Sequence, residues 1–446
     1  MDKLESIACR LRDLRVARYW GHVHAIRAGL ISVVGLNLHA SVGDRVAISM
    51  PSGAVTGEVV GLTQRHASVL PEGNIEGLSI GAEVELLFAP TIAPCDSWIG
   101  RIIDPFGQPL DGRPLAQGHE ARPYRPEAPP AAGRRRLGGR LDTGLAVFDT
   151  LLPIVRGQRV GLFAGSGVGK STLLSSFARG VQADVVVIGM IGERGRELRE
   201  FVETTLGPDG MRRAVIVTAT SDRSPLVRRR CAWAAMAVAE HFRDQGKHVL
   251  LLADSITRFA EAHREIALAA GEPASYRGFP PSTSNLIMAL AERAGPGPEG
   301  CGDITGIFSV LVAGSDMEEP VADILRGVLD GHVVLDRAIA ERGRFPAVDV
   351  VRSVSRSLPA AATVPENALI ARARAALGAY AESELMIRAG LYAPGSDQKL
   401  DEAVRLFPRL DAFVAEAGPA GCADSFRRLG EVLALVPPRH ATPRSA

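Results

Sequence analysis

Short apolar runs separated by turn residues characterise residues 20–92. Runs such as Val46-Ala47-Ile48 and Val84-Glu85-Leu86-Leu87-Phe88 alternate with turn signals such as Val42-Gly43-Asp44 and Pro51-Ser52-Gly53, at intervals of roughly eight to twelve residues. A barrel closes many short strands at once and leaves no edge unpaired. The pattern therefore predicts a small N-terminal β-barrel over residues 20–92.

Continuous apolar runs alternate with amphipathic stretches between residues 141 and 345. Runs that are apolar throughout are typical of strands buried on both faces, as in a parallel sheet covered by helices. Helices are predicted between the runs, for example over 171–178 and 226–243. We predict buried strands at 160–163, 185–190, 214–218, 249–253 and 307–312. The core is therefore expected to be α/β with a mostly parallel sheet.

Two further segments complete the predicted organisation of the chain. Residues 93–140 contain Pro123, Pro126, Pro129 and Pro130 and then Arg134-Arg135-Arg136, which predicts an extended connector and a solvated basic surface. We assign this connector to the core domain, over 93–346. Residues 347–446 are predicted to form a mainly helical C-terminal domain.

The first residues of the chain show helical periodicity, with Leu4, Ile7, Leu11 and Leu14 at spacings of three and four. We predict an amphipathic helix over 1–19 with a net positive charge. Such a helix can pack on its own domain, dock on a partner helix or lie on an anionic membrane surface. Neither an apolar leader core nor a run of 18 uncharged apolar residues is present.

Composition excludes several classes of protein. The 446 residues are 46% hydrophobic and 23% charged, with a formal net charge of +1; this is globular composition and does not suggest nucleic-acid binding. Its five cysteines are scattered, with no Cys/His cluster, so neither a disulfide framework nor a zinc site is expected. A reduced, cytoplasmic compartment fits this cysteine usage best.

The segment 164–171, Ala-Gly-Ser-Gly-Val-Gly-Lys-Ser, follows a predicted strand and opens a predicted helix, as a phosphate-binding (Walker A) loop does. Its backbone N–H groups and the helix dipole favour bound phosphate. Lys170 is expected to reach the β- and γ-phosphates, and the Ser171 hydroxyl to hold Mg²⁺. The predicted nucleotide-binding residues are Gly165, Ser166, Gly167, Val168, Gly169, Lys170, Ser171 and Thr172.

Hydrolysis needs charged groups beyond the phosphate cradle. Asp254 ends an apolar run in a Walker B pattern and is predicted to contact Mg²⁺. Glu193 ends another run, so we predict that it accepts a hydrogen bond from the attacking water, because ligands bind beyond the carboxyl ends of strands. Arg194, next to it, is expected to contact the γ-phosphate. Arg258, one helical turn after Asp254, is expected to face the same site.

Taken together, these motifs resemble the hexameric RecA-like rotary-type ATPases, the family of the ATP synthase catalytic subunit. The resemblance lies in 156–161 (Arg-Gly-Gln-Arg-Val-Gly), 192–197 (Gly-Glu-Arg-Gly-Arg-Glu), 254–259 (Asp-Ser-Ile-Thr-Arg-Phe) and 278–282 (Gly-Phe-Pro-Pro-Ser). Within that group, 163–172, 329–337 and 390–397 are similar to the flagellar and type III secretion export ATPases. The likeness covers nearly the whole chain.

The resemblance implies roles for three residues that their types and spacing alone do not indicate. Glu193 matches the catalytic glutamate of the family, where noncatalytic synthase subunits carry glutamine. Arg356, in Ser353-Val354-Ser355-Arg356, matches the arginine finger supplied to a neighbouring subunit, and Phe345 matches an aromatic residue that packs on the adenine ring.

The function implied is ATP hydrolysis by a homohexameric ring that drives or primes export of flagellar or other type III proteins across the cytoplasmic membrane. Implied partners are a regulatory protein, export-gate proteins, export substrates and chaperones, with ATP and Mg²⁺ bound and peripheral contact with the inner membrane. An RNA-dependent translocase and a proton-coupled synthase subunit are the alternatives. The former is disfavoured because residues 20–92 contain only two aromatics for base stacking, Trp20 and Phe88.

Overall fold

The computed structural model describes residues 17–312, 317–418 and 420–434. Most of the predicted helix over 1–19 lies outside the described residues. Among the described residues, no helix is long and apolar enough to cross a membrane.

A closed barrel forms the N-terminal unit, as predicted. Its strands pair in the order β1-β2-β5-β4-β3-β6, and alternate side chains such as Val33, Val46 and Val69 fill the interior. The strands are β1 (Trp20–Arg27), β2 (Leu30–Val34), β3 (Arg45–Ile48), β4 (Val55–Leu62), β5 (Ala67–Pro71) and β6 (Glu83–Phe88).

A large, mostly parallel sheet forms the core, also as predicted. Its strands are ordered β17-β16-β10-β15-β13-β11-β12-β8, and β14 pairs with β15. Two pairings are antiparallel, β16 with β17 and β14 with β15. Sheet strands are β8 (Arg101–Ile103), β10 (Arg159–Ala164), β11 (Val185–Glu193), β12 (Ala214–Thr220), β13 (His248–Asp254), β14 (Gly295–Pro296), β15 (Asp303–Leu311), β16 (Gly331–Leu335) and β17 (Val348–Ser355); β7 (Thr91–Ile92) pairs with β9 (Arg122–Pro123) apart from it.

Helices cover both faces of this sheet and bury two apolar layers. One layer includes Phe148 and Phe177, and the other includes Trp233, Phe242 and Phe308. The helices are α1 (Ala146–Asp149), α2 (Lys170–Gly180), α3 (Gly195–Glu200), α4 (Gly207–Met211), α5 (Pro225–Asp244), α6 (Ile256–Ala269), α7 (Ser282–Glu292), α8 (Pro320–Val328), α9 (Arg337–Glu341), α10 (Val364–Arg388), α11 (Gln398–Val414) and α12 (Cys422–Ala434).

The C-terminal region contains the three helices α10, α11 and α12, but it is preceded by a strand that the sequence pattern did not predict. β17 (Val348–Ser355) pairs with β16 and extends the core sheet. Its alternating burial is that of an edge strand half open to solvent. The core sheet thus continues to Ser355, past the predicted domain boundary between residues 346 and 347. That boundary stays a prediction.

The basic triplet 134–136 is not simply solvated. Arg134 donates to the carbonyl oxygen of Ala294, and Arg135 forms an ion pair with Asp303 at 2.6 Å. These contacts attach the proline-rich connector to the core, because guanidinium groups can satisfy several acceptors at once.

Candidate active site

The phosphate-binding loop lies between β10 and α2, at the carboxyl edge of the sheet. Gly167 and Gly169 adopt φ values of +76° and +83°, which are left-handed conformations that glycine adopts without steric cost. α2 begins at Lys170, so its first N–H groups point toward the loop. The Val168 side chain is buried in the core, and only its backbone is left to face a phosphate.

A cavity of about 980 Å³ opens beside this loop. It is lined by seven of the eight predicted loop residues, Val168 being the exception, and by Glu193, Arg194 and Arg258. The chain thus brings together residues from the ends of three separate strands, β10, β11 and β13. This arrangement follows from the parallel sheet, in which these strand ends meet at one edge.

Lys170 forms an ion pair with Asp254 inside the cavity wall, and its Nζ lies 3.7 Å from Glu193 Oε1. The hydroxyl of Ser309, on β15, donates to Asp254 Oδ1 at 2.6 Å. Asp254 and Ser309 are buried. The ammonium group of Lys170 is therefore held between the carboxylates of Glu193 and Asp254. The Ser309 hydroxyl in turn fixes the Asp254 carboxylate by a hydrogen bond.

The pKa of Glu193 is raised to about 7. Burial is the main cause, the negative charge of Asp254 adds to it, and Lys170 opposes both. A pKa near neutrality suits a group that must accept a proton or orient a water molecule at physiological pH.

The two arginines predicted at this site occupy different positions. The Arg194 side chain is 80% exposed and pairs with Glu197 at 3.2 Å, so it stands at the rim of the cavity. Arg258 is half-buried and pairs with Glu261 at 2.8 Å. Both therefore line the cavity, but each is already bound to a neighbouring carboxylate.

Phe345 lies against the phosphate-binding loop and not in the core. A Cβ placed on Gly169 would lie 3.1 Å from Phe345 Cδ1, and the Phe345 side chain is 49% exposed. Its ring therefore presents an open aromatic face next to the loop, as a surface for a planar base requires.

Arg356 lies at the opposite edge of the sheet from the loop. Leu335 pairs with both Ala164 and Val348 at the carboxyl edge. Ser355 pairs with Gly331 at the amino edge, four residues before Leu335 on β16 and roughly 13 Å from it by the rise per residue. The guanidinium of Arg356 donates to the Arg326 carbonyl oxygen at 3.1 Å. Arg356 therefore lies at the amino edge of the sheet and does not line the cavity beside its own phosphate-binding loop.

Ser171 and Asp254 are the residues available to hold a magnesium ion. A hydroxyl and a carboxylate are ligands that Mg²⁺ accepts, and the ion commonly completes its shell with phosphate oxygens and water. In the described part of the chain, no group of three or more His, Cys, Asp or Glu could hold a metal by itself. The donor set thus fits a metal bound jointly with a nucleotide.

Ser309, Arg228 and Glu197 are among the residues of the site that were not predicted from the sequence. Ser309 reaches Asp254 only because β13 and β15 are adjacent, and no local motif marks it. Arg228 and Glu197 line the cavity. Glu197 lies in the quoted segment 192–197, but its position one turn into α3 was the only signal available.

Comparisons with known proteins agree over almost the whole chain. Residues 144–355 match the ATP synthase alpha/beta family, nucleotide-binding domain, and residues 364–417 match the T3SS EscN ATPase C-terminal domain. The flagellum-specific ATP synthase of Caulobacter vibrioides is 46% identical over 440 residues, which cover 96% of this chain and 99% of that protein.

Solved structures give the same result. The assembled ATPase EscN from the type III secretion system of enteropathogenic E. coli matches with a TM-score of 0.85 at 35% identity, covering 93% of this chain and 100% of that one. EscN in complex with its central stalk EscO matches with a TM-score of 0.83 at 36% identity, with the same coverage.

Proposed function

This chain belongs to the family of flagellum-specific ATP synthases and type III secretion system ATPases, and we propose from that premise that it hydrolyses ATP to drive or prime protein export. The observation that carries the proposal is the meeting of Lys170 and Glu193 at one cavity beside a phosphate-binding loop, with the buried Asp254 paired to Lys170 behind the cavity wall. These groups supply phosphate binding, a base and a metal carboxylate, the components of phosphoryl transfer to water.

The loop residues bind the triphosphate. Backbone N–H groups of the loop receive the phosphate oxygens, and Lys170 exchanges its carboxylate partners for the β- and γ-phosphates. Ser171 and Asp254 would hold Mg²⁺, which would supply positive charge against the β- and γ-phosphates. Phe345 covers one face of the adenine ring, and Arg258 faces the γ-phosphate from α6.

Glu193 orients the attacking water. Its carboxylate accepts a hydrogen bond from the water and places it in line with the γ-phosphate. Arg194, at the rim, adds a positive charge near the leaving phosphate. Water attacks the γ-phosphorus and passes a proton to the Glu193 carboxylate. The bond from the γ-phosphorus to the bridging oxygen breaks, that oxygen leaves with ADP, and phosphate is released.

Arg356 completes the site of a neighbouring subunit. It follows a strand end at the amino edge of the sheet, whereas its own loop lies at the carboxyl edge. One type of chain then supplies both halves of each site, and such a head-to-tail contact closes into a ring by rotation. We propose a homohexamer; the assembled state of the related EscN supports self-association.

Further partners follow from the family. EscN binds a central stalk protein, EscO, and we propose a comparable regulatory partner for this chain. Export-gate proteins, export substrates and their chaperones complete the proposed set, with a cytoplasmic location and peripheral contact with the inner membrane. No nucleic acid is proposed as a ligand.

ATPase activity measured against protein concentration, with and without RNA, tests this function. We expect specific activity to rise steeply with concentration, because isolated subunits lack the finger from a neighbour, and to be unchanged by RNA. Activity that required RNA would instead support a nucleic-acid translocase. Activity independent of concentration down to the monomeric state would contradict the intersubunit site.

A further inference from the structure

A buried cluster of charged side chains joins the barrel to helix α5. Glu58 of β4 lies 2.5 Å from Arg229 Nη2 and 2.6 Å from Arg230 Nη2. Glu72, which follows β5, lies 2.7 Å from Arg230 Nη1. None of these four side chains is more than 8% exposed. Breaking one of these pairs would leave an uncompensated charge in the interior, so they fix the helix firmly on the barrel.

Further contacts extend the cluster to the rim of the barrel. Arg45 of β3 forms an ion pair with Glu72 at 3.0 Å. The ring of Phe106 lies against both Arg45 and Arg230, with guanidinium carbons 4.3 and 4.8 Å from its centroid. The start of α5 is therefore held by Glu58 of β4, by Glu72 just after β5, and by Phe106 of the connector that follows the barrel.

Arg228 lies one residue before this cluster, and its side chain lines the nucleotide cavity. Glu265 of α6 binds its Nη2 with both carboxylate oxygens, at 3.0 and 3.1 Å, and its Nε donates to the carbonyl oxygen of Arg223. The guanidinium is thus clamped in one orientation, because planar donors and a two-oxygen acceptor restrict each other.

The aliphatic part of Arg228 packs beside Gly192, the residue that precedes Glu193. A Cβ placed on Gly192 would lie 3.5 Å from Arg228 Cδ and 3.3 Å from Arg258 Cβ. Gly192 has a φ of +71°, and it has no side chain with which to anchor itself. The two arginine stems therefore form the walls that confine this backbone.

We propose that Arg228 is a positioning residue for Glu193, and that the barrel keeps Arg228 in place through the buried Glu58–Arg229–Arg230–Glu72 cluster. The proposal rests on the proposed function, because Glu193 must be the group that orients the water. Confinement of Gly192 limits the movement of Glu193, and a displacement of about 1 Å at a reacting group costs up to about a hundredfold in rate. A barrel that shifts against α5 then changes hydrolysis in its own subunit.

A kinetic double-mutant cycle on the full chain tests the first part. We expect Arg228→Gln to lower kcat by about tenfold with little change in KM, and Glu193→Gln to lower it by about a hundredfold or more. The double variant should be no slower than Glu193→Gln alone, since Arg228 has no base left to position. Losses that multiply would overturn the proposal, because Arg228 would then act on something other than Glu193.

A matched control uses an arginine away from the cavity. Arg212 is in an exposed pair with Asp209, and Arg212→Gln should leave kcat and KM unchanged. If wild-type protein failed to hydrolyse ATP, the proposed function would fail. If it hydrolysed ATP and lost activity with Glu193→Gln, but the losses multiplied, only the role of Arg228 would fail.

The second part is tested from the barrel. Glu58→Gln should lower kcat in the wild-type background and have no further effect when Arg228→Gln is present. Where circular dichroism shows that Glu58→Gln does not fold, Arg45→Gln, whose side chain at the rim of the cluster is 20% exposed, replaces it in the same cycle. An unchanged kcat, or an equal loss in both backgrounds, would overturn the link between barrel and Arg228.

Discussion

Lys170 Nζ lies 3.7 Å from Glu193 Oε1 and also contacts Asp254, so a single ammonium group is shared by two carboxylates. A triphosphate carries more negative charge than either carboxylate and competes for the same lysine. Binding of the nucleotide would therefore free Asp254 for Mg²⁺ and Glu193 for water. This exchange links binding of the substrate to activation of the base.

The first prediction concerns the pH dependence of hydrolysis. The pKa of Glu193 is raised to about 7 by burial and by Asp254, so the carboxylate is protonated below that pH and cannot accept a proton from the attacking water. We expect kcat/KM to fall with decreasing pH through about 7. Steady-state rates of wild-type protein between pH 5.5 and 8.5, a range that brackets this pKa, would measure the dependence.

Glu193→Gln is the control for this pH dependence. It should bind nucleotide nearly as well as wild type, turn over about a hundredfold or more slowly, and lose the acidic limb of the profile. A near wild-type rate for Glu193→Gln would show that Glu193 does not orient the attacking water.

The second prediction concerns Ser309. Ser309→Ala removes the hydroxyl that donates to Asp254 Oδ1, so the carboxylate is held less firmly toward the metal. We expect the Mg²⁺ concentration for half-maximal activity to rise by about tenfold, in line with the loss of groups that orient metal ligands. Ser176→Ala, on α2 with its hydroxyl bound to the Thr172 carbonyl, is the control and should keep the wild-type Mg²⁺ dependence.

The third prediction concerns Phe345. Phe345→Ala should weaken ATP binding by about three- to tenfold, because stacking on an aromatic face is worth roughly 0.5–1.5 kcal/mol. Turnover at saturating ATP should change little, since a ring that stacks on adenine contacts none of the reacting atoms. Titration with a fluorescent ATP analogue measures the affinity. Phe345→Tyr, which retains the ring, should bind like wild type, and equal affinity for all three proteins would remove Phe345 from the adenine site.

The fourth prediction concerns Arg356 and assembly. Lys170→Ala and Arg356→Ala should each abolish turnover, since an arginine finger is worth roughly 10³–10⁵ in rate. Mixed rings contain some interfaces with an intact loop and an intact finger, so mixing the two variants should restore part of the activity. If no mixing ratio restored activity although mixed assemblies formed, Arg356 would not act between subunits.

The fifth prediction concerns the N-terminal segment. Removal of residues 1–18 should leave folding intact but abolish either capture by the regulatory partner or sedimentation with vesicles that contain anionic phospholipid. The reason is the apolar stripe Leu4, Ile7, Leu11 and Leu14 on a basic segment. A full-length variant with serine at these four positions is the matched control and should behave like the truncation. A truncated protein that still bound both would contradict the prediction.

Local sequence patterns predicted the regular core well. The five predicted strands of the parallel sheet correspond to β10, β11, β12, β13 and β15, because strands buried on both faces are marked by continuous apolar runs. β8 and β16 were not predicted because neither contains a long apolar run. β8 is only three residues long, and β16 (Gly331–Leu335) begins with glycine and histidine. β17 was assigned to a helical region because a half-exposed strand lacks such a run.

The sequence by itself determined the phosphate-binding loop and its chemical partners Glu193 and Asp254, because each is marked by neighbours along the chain: glycines, an apolar strand and a helix start. The side chains that contact these residues, and those that join the barrel to the core, depend on how the chain packs in three dimensions. Ser309 reaches Asp254 across 55 positions, and Arg230 reaches Glu58 across 172. The physical reason is that a side chain's partner across a sheet or a domain boundary is set by how strands and helices pack, and no short-range pattern records that packing.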